Sequence, residues 1–186
     1  MTQNDSNLHH SSTDSLCVIF LCTGNAARSV MGGAITRTQA IDIEIITAGT
    51  HVIEGMPVSW RTRDALAAVG TTPGSHRSYQ LRDDDAVRAD LVVAMAGEHV
   101  NYVRRVHPDA AVRTVTLKRL ARYLEPGPVG FRDRLQNLRL AEVELEPWED
   151  VVDPAGGDLA VFEACAREIN DLLGEVLPRI TGGNGS

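Results

Sequence analysis

The chain has 186 residues, of which 43% are hydrophobic and 23% charged, the composition of a globular protein of about one domain. It carries 18 Lys and Arg against 25 Asp and Glu, for a formal net charge of -7, which argues against a nucleic-acid or anionic-membrane partner. Three scattered cysteines exclude a disulfide scaffold and a structural zinc site. The first apolar run, 16–22, is too short to span a membrane and lacks the flanks of a signal peptide, so we expect a cytoplasmic protein.

Short apolar runs alternate with helical patterns along the chain. Strands are predicted over 16–21, 41–48, 90–95 and 111–116, and helices over 29–40, 57–69, 97–106, 131–141 and 158–177. This alternation predicts an α/β protein with a parallel sheet and helices on both faces. The polar ends, 1–15 and 181–186, are predicted to be a disordered arm and a flexible tail, so one domain spans 16–180.

The segment after the first predicted strand carries the clearest chemical signal. Its residues are Cys22-Thr23-Gly24-Asn25-Ala26-Ala27-Arg28-Ser29, and they lead directly into a predicted helix. Ligands of open parallel sheets bind beyond the carboxyl ends of the strands. A tight loop there turns successive backbone N–H groups toward one anion, and the helix adds its positive end. These eight residues are therefore predicted to bind phosphate.

A cysteine and an arginine in this loop suit phosphoryl transfer. A helix N-terminus and a guanidinium stabilise a thiolate, which makes Cys22 a candidate nucleophile. The planar guanidinium of Arg28 matches two phosphate oxygens. Against this, a free cysteine is most often a small buried hydrophobe. That simpler interpretation is the one we favour for Cys17 and Cys165.

Phosphoryl transfer to sulfur also needs a proton donor for the departing oxygen, and a carboxylic acid can supply it. The best candidate is Asp153, because Pro154 keeps its backbone out of a helix and two glycines follow. Asp150 and Asp158 are weaker candidates. An ordinary loop carboxylate near a helix start is the alternative interpretation of Asp153.

Taken together, five segments resemble the low-molecular-weight protein-tyrosine phosphatase family, from about residue 16 to residue 178. They are the loop above, Thr47–Thr50, His76–Leu81, Ala89–Met95 and Asp153-Pro154. The cysteine loop near one end and Asp-Pro near the other form a specific pair, because other tyrosine phosphatase families place the acid before the cysteine. Relative to the family, the chain carries an insertion within 123–149.

The resemblance implies a flavodoxin-like fold with a four-stranded parallel sheet in the order 2-1-3-4. It also implies a two-step hydrolysis without metal or cofactor, acting on a phosphorylated protein or a small phosphomonoester. The positions carried over as nucleophile, phosphoryl ligand and acid are Cys22, Arg28 and Asp153, and those carried over as loop support are Ser29, Asn25, Thr47 and His76. Ser29 would donate a hydrogen bond to the cysteine sulfur.

Some positions depart from the family's pattern. Ala27 stands where a second loop cysteine is common, and Ala96 stands where an Asp is usual. Ala155 follows Asp-Pro in place of Tyr or Phe, and Val52 or Ile53 stands in place of a Trp. An aromatic wall beside a phosphotyrosine ring is therefore not expected from these positions.

Two alternatives stay open at this point. The first is arsenate reduction resolved by an external small thiol, because arsenate resembles phosphate and would occupy the same loop. The second is a phosphate-binding module without catalysis. The chain has no cysteine between Cys22 and Cys165, so a relay of electrons through further cysteines is not expected, whereas the form resolved by an external thiol stays open. Retention of Cys22, Arg28 and Asp153 together argues against the non-catalytic module.

Overall fold

A four-stranded parallel sheet forms the centre of the computed structural model, which describes residues 15–39 and 42–182. The strands are β1 (Leu16–Cys22), β2 (Ile43–Gly49), β3 (Leu91–Ala94) and β4 (Thr114–Thr116), in the order β2-β1-β3-β4. β1 lies between β2 and β3 and is almost wholly buried, as its continuous apolar sequence predicts. The predicted fold class and strand order are confirmed.

Helices cover both faces of this sheet. They are α1 (Arg28–Gln39), α2 (Trp60–Ala68), α3 (Asp83–Arg88), α4 (Gly97–Val106), α5 (Leu117–Tyr123), α6 (Phe131–Gln136) and α7 (Leu159–Thr181). Alternate side chains of β1 point to opposite faces: Phe20 enters the larger core with α1, α2 and α7, and Leu21 enters the smaller core with α3 and α4. Among the described residues, no helix is both long and apolar enough to cross a membrane.

Two glycines that weaken α1 as a helix allow it to pack closely on the sheet. A Cβ atom on Gly32 would lie 2.6 Å from Phe20 Cδ1 and 2.9 Å from Met95 Cε, and one on Gly33 would overlap the methyl group of Thr47. Gly32 and Gly33 therefore lower the intrinsic stability of α1 as a helix but allow its backbone to lie close to the sheet. The consequence is that the loop before α1 is held against the ends of β1 and β2.

Several element boundaries differ from their predictions for local reasons. α2 begins at Trp60 because Ser59 caps it, so Pro57 lies outside the helix. β4 begins only at Thr114, because a 3₁₀ helix opened by a proline occupies Pro108–Arg113. α6 ends at Gln136, and α7 runs on to Thr181. The predicted arm lies outside the described residues up to position 14, as does the tail from 183 onward.

The predicted insertion, 123–149, is held in place largely by arginines. Arg104 donates to the carbonyl oxygens of Leu140 and Val143, both at 2.8 Å, and Arg134 donates to that of Arg179 at 2.6 Å. The following segment returns to the sheet, where Val151 N–H donates to Met95 O at 2.8 Å. The insertion thereby delivers the chain to the carboxyl end of β3, two residues before Asp153.

Candidate active site

The eight-residue loop lies at the carboxyl edge of the sheet, between the ends of β1 and β2. The backbone after β2 is bonded to it, since Thr50 N–H donates to Cys22 O at 2.9 Å and His51 N–H donates to Thr23 O at 3.0 Å. The end of β2 approaches so closely that a Cβ on Gly49 would lie 2.5 Å from Thr23 O and 3.0 Å from Asn25 N. The loop is therefore fixed by backbone contacts on this side.

A directed chain of hydrogen bonds ends on the cysteine sulfur. Tyr79 N–H donates to Asn25 Oδ1 at 2.9 Å, and Asn25 Nδ2 donates to Ser29 Oγ at 2.9 Å. Ser29 Oγ lies 3.0 Å from Cys22 Sγ. Because Ser29 Oγ already accepts from Asn25, its own proton is free to point at the sulfur. Asn25, Ser29 and Cys22 are all buried, so this order of donors persists without competition from solvent.

Asn25 also takes the backbone geometry that the loop requires. Its φ is +49°, in the left-handed region that Asn tolerates better than most residues. Its carbonyl oxygen lies 3.0 Å from His76 Nε2. Burial lowers the pKa of His76, the bond to Asn25 opposes this, and the neutral ring can donate to that oxygen. Three of the four residues named from the sequence as loop support, Asn25, Ser29 and His76, thus lie in the loop or contact it.

Thr47, the fourth residue predicted to support the loop, differs from the other three in its contacts. It lies within β2 opposite Phe20, and its methyl group packs against Gly33 of α1. The side-chain hydrogen bonds of the described part of the chain do not connect Thr47 with the loop. Its contribution to the loop is therefore indirect, through the packing of α1.

Arg28 and Asp153 meet although they are 125 positions apart. Arg28 Nη2 lies 2.7 Å from Asp153 Oδ2, and Arg28 Nη1 donates to Val151 O at 3.1 Å. Asp153 Oδ1 accepts from Ala155 N–H at 3.0 Å, which fixes the carboxylate in a tight turn. The guanidinium is 5% exposed whereas the carboxylate is 48% exposed, so Asp153 lies at the mouth of the site and Arg28 inside it.

The two weaker acid candidates have other structural tasks. Asp150 Oδ1 accepts from Gly97 N–H at 2.7 Å and so joins the segment just after 123–149 to the start of α4. Asp158 caps α7 by accepting from Val161 N–H at 3.2 Å. Of the three carboxylates, Asp153 is the one that contacts Arg28.

The other side of the mouth is formed by residues that the sequence analysis did not assign. Thr23 Oγ1 lies 3.0 Å from His99 Nε2 and donates to Glu98 Oε1 at 3.3 Å. His99 is buried, and burial followed by the charge of Arg28 lowers its pKa to about 3. The ring is therefore neutral at neutral pH. A histidine in the first turn of the helix after a buried strand was the available signal.

Further contacts to the loop come from backbone groups and from α2. Thr62 Oγ1 donates to Ala26 O at 3.0 Å, so the start of α2 packs against the loop. The contributions of Tyr79 and Val151 are main-chain atoms, which no residue pattern reveals. The close approach of Gly49 to the loop could have been expected from its position at the end of a predicted strand, within the segment Thr47–Thr50.

The rim of the mouth has few aromatic rings. Ala155 is exposed, as is Ile53 at 79%, in the two places where the family pattern has aromatic residues. His51 stands edge-on to Tyr102, with ring centroids 5.8 Å apart. Trp148 packs instead against Tyr123 at a centroid distance of 6.3 Å. Within the described ranges, no group of three His, Cys, Asp or Glu side chains is arranged to hold a metal ion.

Small α/β proteins with a cysteine in the phosphate-binding loop after their first strand form a distinct class, and this fold and loop define the chain as one of them. The sequence profile of the family described as "Low molecular weight phosphotyrosine protein phosphatase" matches residues 17–128. The chain belongs to this family. The family predicted from the sequence motifs is thereby confirmed.

Relatives from several bacteria match nearly the whole chain. A low molecular weight protein-tyrosine-phosphatase of Streptomyces coelicolor is 34% identical over 178 residues, covering 89% of this chain and 96% of that protein. A protein-arginine-phosphatase of Geobacillus stearothermophilus is 27% identical over 164 residues, covering 88% of this chain and 95% of that protein. Both kinds of phosphatase thus occur among its relatives.

Solved structures agree with this. YwlE arginine phosphatase from Geobacillus stearothermophilus has a TM-score of 0.72 at 26% identity and covers 90% of this chain and 94% of its own. The low molecular weight protein tyrosine phosphatase from T. tengcongensis has a TM-score of 0.69 at 29% identity, and the match covers 88% of this chain and 98% of that protein. The fold is therefore shared over about nine-tenths of the chain.

Proposed function

We propose that the chain is a metal-independent phosphatase that hydrolyses phosphotyrosine or a related phosphomonoester through a cysteinyl-phosphate intermediate. The observation that carries the proposal is the meeting of Arg28 and Asp153 at 2.7 Å, beside a loop in which Ser29 Oγ lies 3.0 Å from Cys22 Sγ. The proposed domain is 16–180, and its substrate is a phosphorylated protein. We place it in the cytoplasm, where Cys22 stays reduced.

In the first step, the phosphate group binds in the loop and is held by Arg28. A dianion there competes with Asp153 for the guanidinium. The released carboxylate, which is 48% exposed, takes up a proton from solvent and then faces the leaving oxygen as a carboxylic acid. Cys22 Sγ attacks phosphorus, the P–O bond breaks, and Asp153 gives its proton to the departing oxygen. The products are the free alcohol or phenol and a phosphorylated cysteine.

In the second step, water hydrolyses the phosphorylated cysteine. Asp153, now a carboxylate, takes a proton from the water as it attacks phosphorus, and the P–S bond breaks. The sulfur leaves with a negative charge, which the Ser29 hydroxyl stabilises because its proton is directed there. Inorganic phosphate departs and the thiolate is restored.

A phosphoarginine side chain is a second candidate substrate. The exposed Ala155 offers no ring against which a phosphotyrosine would stack, a contact worth about 1 kcal/mol. A relative that covers nearly the whole chain is named a protein-arginine-phosphatase. The same machinery would cleave a P–N bond, with Asp153 protonating the departing nitrogen. The names of the relatives favour hydrolysis over arsenate reduction and over a non-catalytic role.

The test is hydrolysis of an aryl phosphate and of phosphotyrosyl and phosphoarginyl peptides, without added metal. We expect Cys22→Ser to abolish turnover and Asp153→Ala to lower kcat about 100-fold or more. Cys17→Ser makes the same exchange five positions earlier in β1, and Asp84→Ala removes an exposed carboxylate from α3. Both control variants should retain the parent rate.

Retained activity in Cys22→Ser would contradict the cysteinyl-phosphate route. Loss of activity in Cys17→Ser as large as in Cys22→Ser would show that unfolding, not chemistry, was measured. A folded parent that hydrolyses none of the three substrates would refute the proposed function. Relative kcat/KM for the two peptides decides between phosphotyrosine and phosphoarginine.

A further inference from the structure

Glu98 places a carboxylate at the lip of the phosphate loop. It lies in the first turn of α4, and its Oε1 accepts from the hydroxyl of Thr23, the second residue of the loop, at 3.3 Å. Its side chain is 68% exposed. The position is unexpected beside a site for an anion, because a carboxylate there repels the ligand that the loop binds.

The charge of Glu98 is not compensated locally. In the described part of the chain, its one ion-pair contact is His99 Nε2 at 3.3 Å. His99 is 1% exposed and its pKa is lowered to about 3, so the ring carries no charge to offset the carboxylate. Its Nδ1 is buried and has no hydrogen-bond partner among the residues that the structure describes, which fits a ring whose proton is on Nε2 and points at Thr23.

The neighbouring charges do not offset Glu98 either. Asp150 bonds to Gly97 N–H, one residue before Glu98, and adds a second carboxylate on the same side. The guanidinium of Arg28 faces the inside of the site and is already paired with Asp153. The two charged side chains named on this side of the lip, Glu98 and Asp150, are thus both negative.

We propose that Glu98 determines substrate specificity, selecting phosphorylated residues that have positively charged neighbours and disfavouring those flanked by acidic side chains. This rests on the proposed function and names a feature of the substrate. A cationic side chain beside the phosphorylated residue offsets the repulsion between Glu98 and the phosphate group. An acidic neighbour adds to it.

The expected size follows from Coulomb's law. Two unit charges about 9 Å apart at an effective dielectric constant of about 40 change binding about five-fold. The effect belongs mainly to KM, because Glu98 contacts the loop and not the reacting atoms. Salt weakens it, since the screening length falls from about 10 Å at 0.1 M to about 3 Å at 1 M.

The experiment compares three phosphotyrosyl peptides of equal length whose two flanking residues are Arg, Ala or Glu. For the parent, we expect kcat/KM to be at least about ten-fold higher with Arg than with Glu. Glu98→Gln keeps an oxygen that accepts from Thr23 but loses the charge. It should bring this ratio close to one through KM, because Glu98 acts on both the Arg and the Glu flank, and Glu98→Lys should invert it. Glu125→Gln, an exposed carboxylate in the loop after α5, should leave the ratio unchanged.

Equal ratios in the parent and Glu98→Gln would overturn the proposal, as would an equal loss in Glu125→Gln. A ratio that 1 M salt leaves unchanged would also overturn it, because a contact effect is not screened. If no peptide is hydrolysed, the proposed function fails separately. Titration of the same peptides into Cys22→Ser, with and without Glu98→Gln, then measures the preference as Kd. Absence of a charge-dependent Kd there refutes the role of Glu98.

Discussion

Replacing Gly49 with alanine should displace the phosphate loop while the rest of the fold persists. The new Cβ would lie 2.5 Å from Thr23 O and 3.0 Å from Asn25 N, both main-chain atoms of the loop. Ordinary contact distances require the loop to retreat by nearly 1 Å. A misplacement of that size costs about 100-fold in rate, and overpacking of this kind costs about 1–3 kcal/mol in stability.

The assay is aryl phosphate hydrolysis together with thermal unfolding. For a chain of this length, about 1–3 kcal/mol lowers Tm by roughly 2–12 °C. Gly174→Ala is the matched control: it lies on the exposed face of α7, and its Cβ would meet nothing within 4 Å. It should keep the parent rate and gain up to about 1 kcal/mol, because alanine is the better helix former. A Gly49→Ala variant with parent activity would refute this account of the loop.

Three further predictions concern the groups around the site. Ser29→Ala should slow hydrolysis of the cysteinyl phosphate about 10-fold or more and remove the acceptor of Asn25 Nδ2. The slower second step should appear as an initial burst of phenol from an aryl phosphate. A variant without this burst would contradict the role of the serine. Because the pKa of His99 is lowered from 6.5 to about 3, the unfolded chain binds a proton between these pH values that the folded chain excludes. The free energy of unfolding should therefore fall by at most about 1.4 kcal/mol per pH unit as pH drops from 6.5 toward 3. Urea unfolding at pH 6.5 and at pH 5 should show a smaller fall in His99→Asn than in the parent. Arg119→Met should lower the free energy of unfolding in urea by about 3–5 kcal/mol, because it leaves the fully buried carboxylate of Glu149 without its cation. The control Arg167→Met breaks the more exposed ion pair with Glu163 and should lower it by less than about 1 kcal/mol.

The elements that could be predicted from sequence are those fixed by neighbouring residues. The continuous apolar run of β1, the start of α7 near residue 158 and the loop 22–29 are each encoded within about ten residues. Predicted element boundaries were wrong where a neighbouring cap or turn, rather than the hydrophobic pattern, decided them. Ser59 outcompeted Pro57 as the start of α2, and a 3₁₀ helix replaced the first residues predicted for β4.

Two arginines show what a charge pattern along the chain does not reveal. Arg104 and Arg119, which a charge pattern would leave on solvated helix faces, donate to the insertion and to buried Glu149. Their partners are 30 or more positions away along the chain. Short-range periodicity reports only which face of a helix a residue occupies, and it contains no information on what later packs against that face.

By itself, the sequence determined the family, the parallel α/β fold and the loop with Cys22 and Arg28. These depend on local pattern, because a strand, a tight turn and a helix N-terminus are adjacent in the chain and form one anion-binding unit. Only the tertiary structure showed that Asp153 reaches Arg28 while Asp150 and Asp158 bond elsewhere, and only it placed Glu98 and His99 on Thr23. The contacts of Thr23 join the ends of β1 and β3, which are neighbours in the sheet although the residues are 75 or more positions apart. Asp153 comes from a turn 125 positions after Arg28, so packing between distant segments decides which carboxylate reaches the loop.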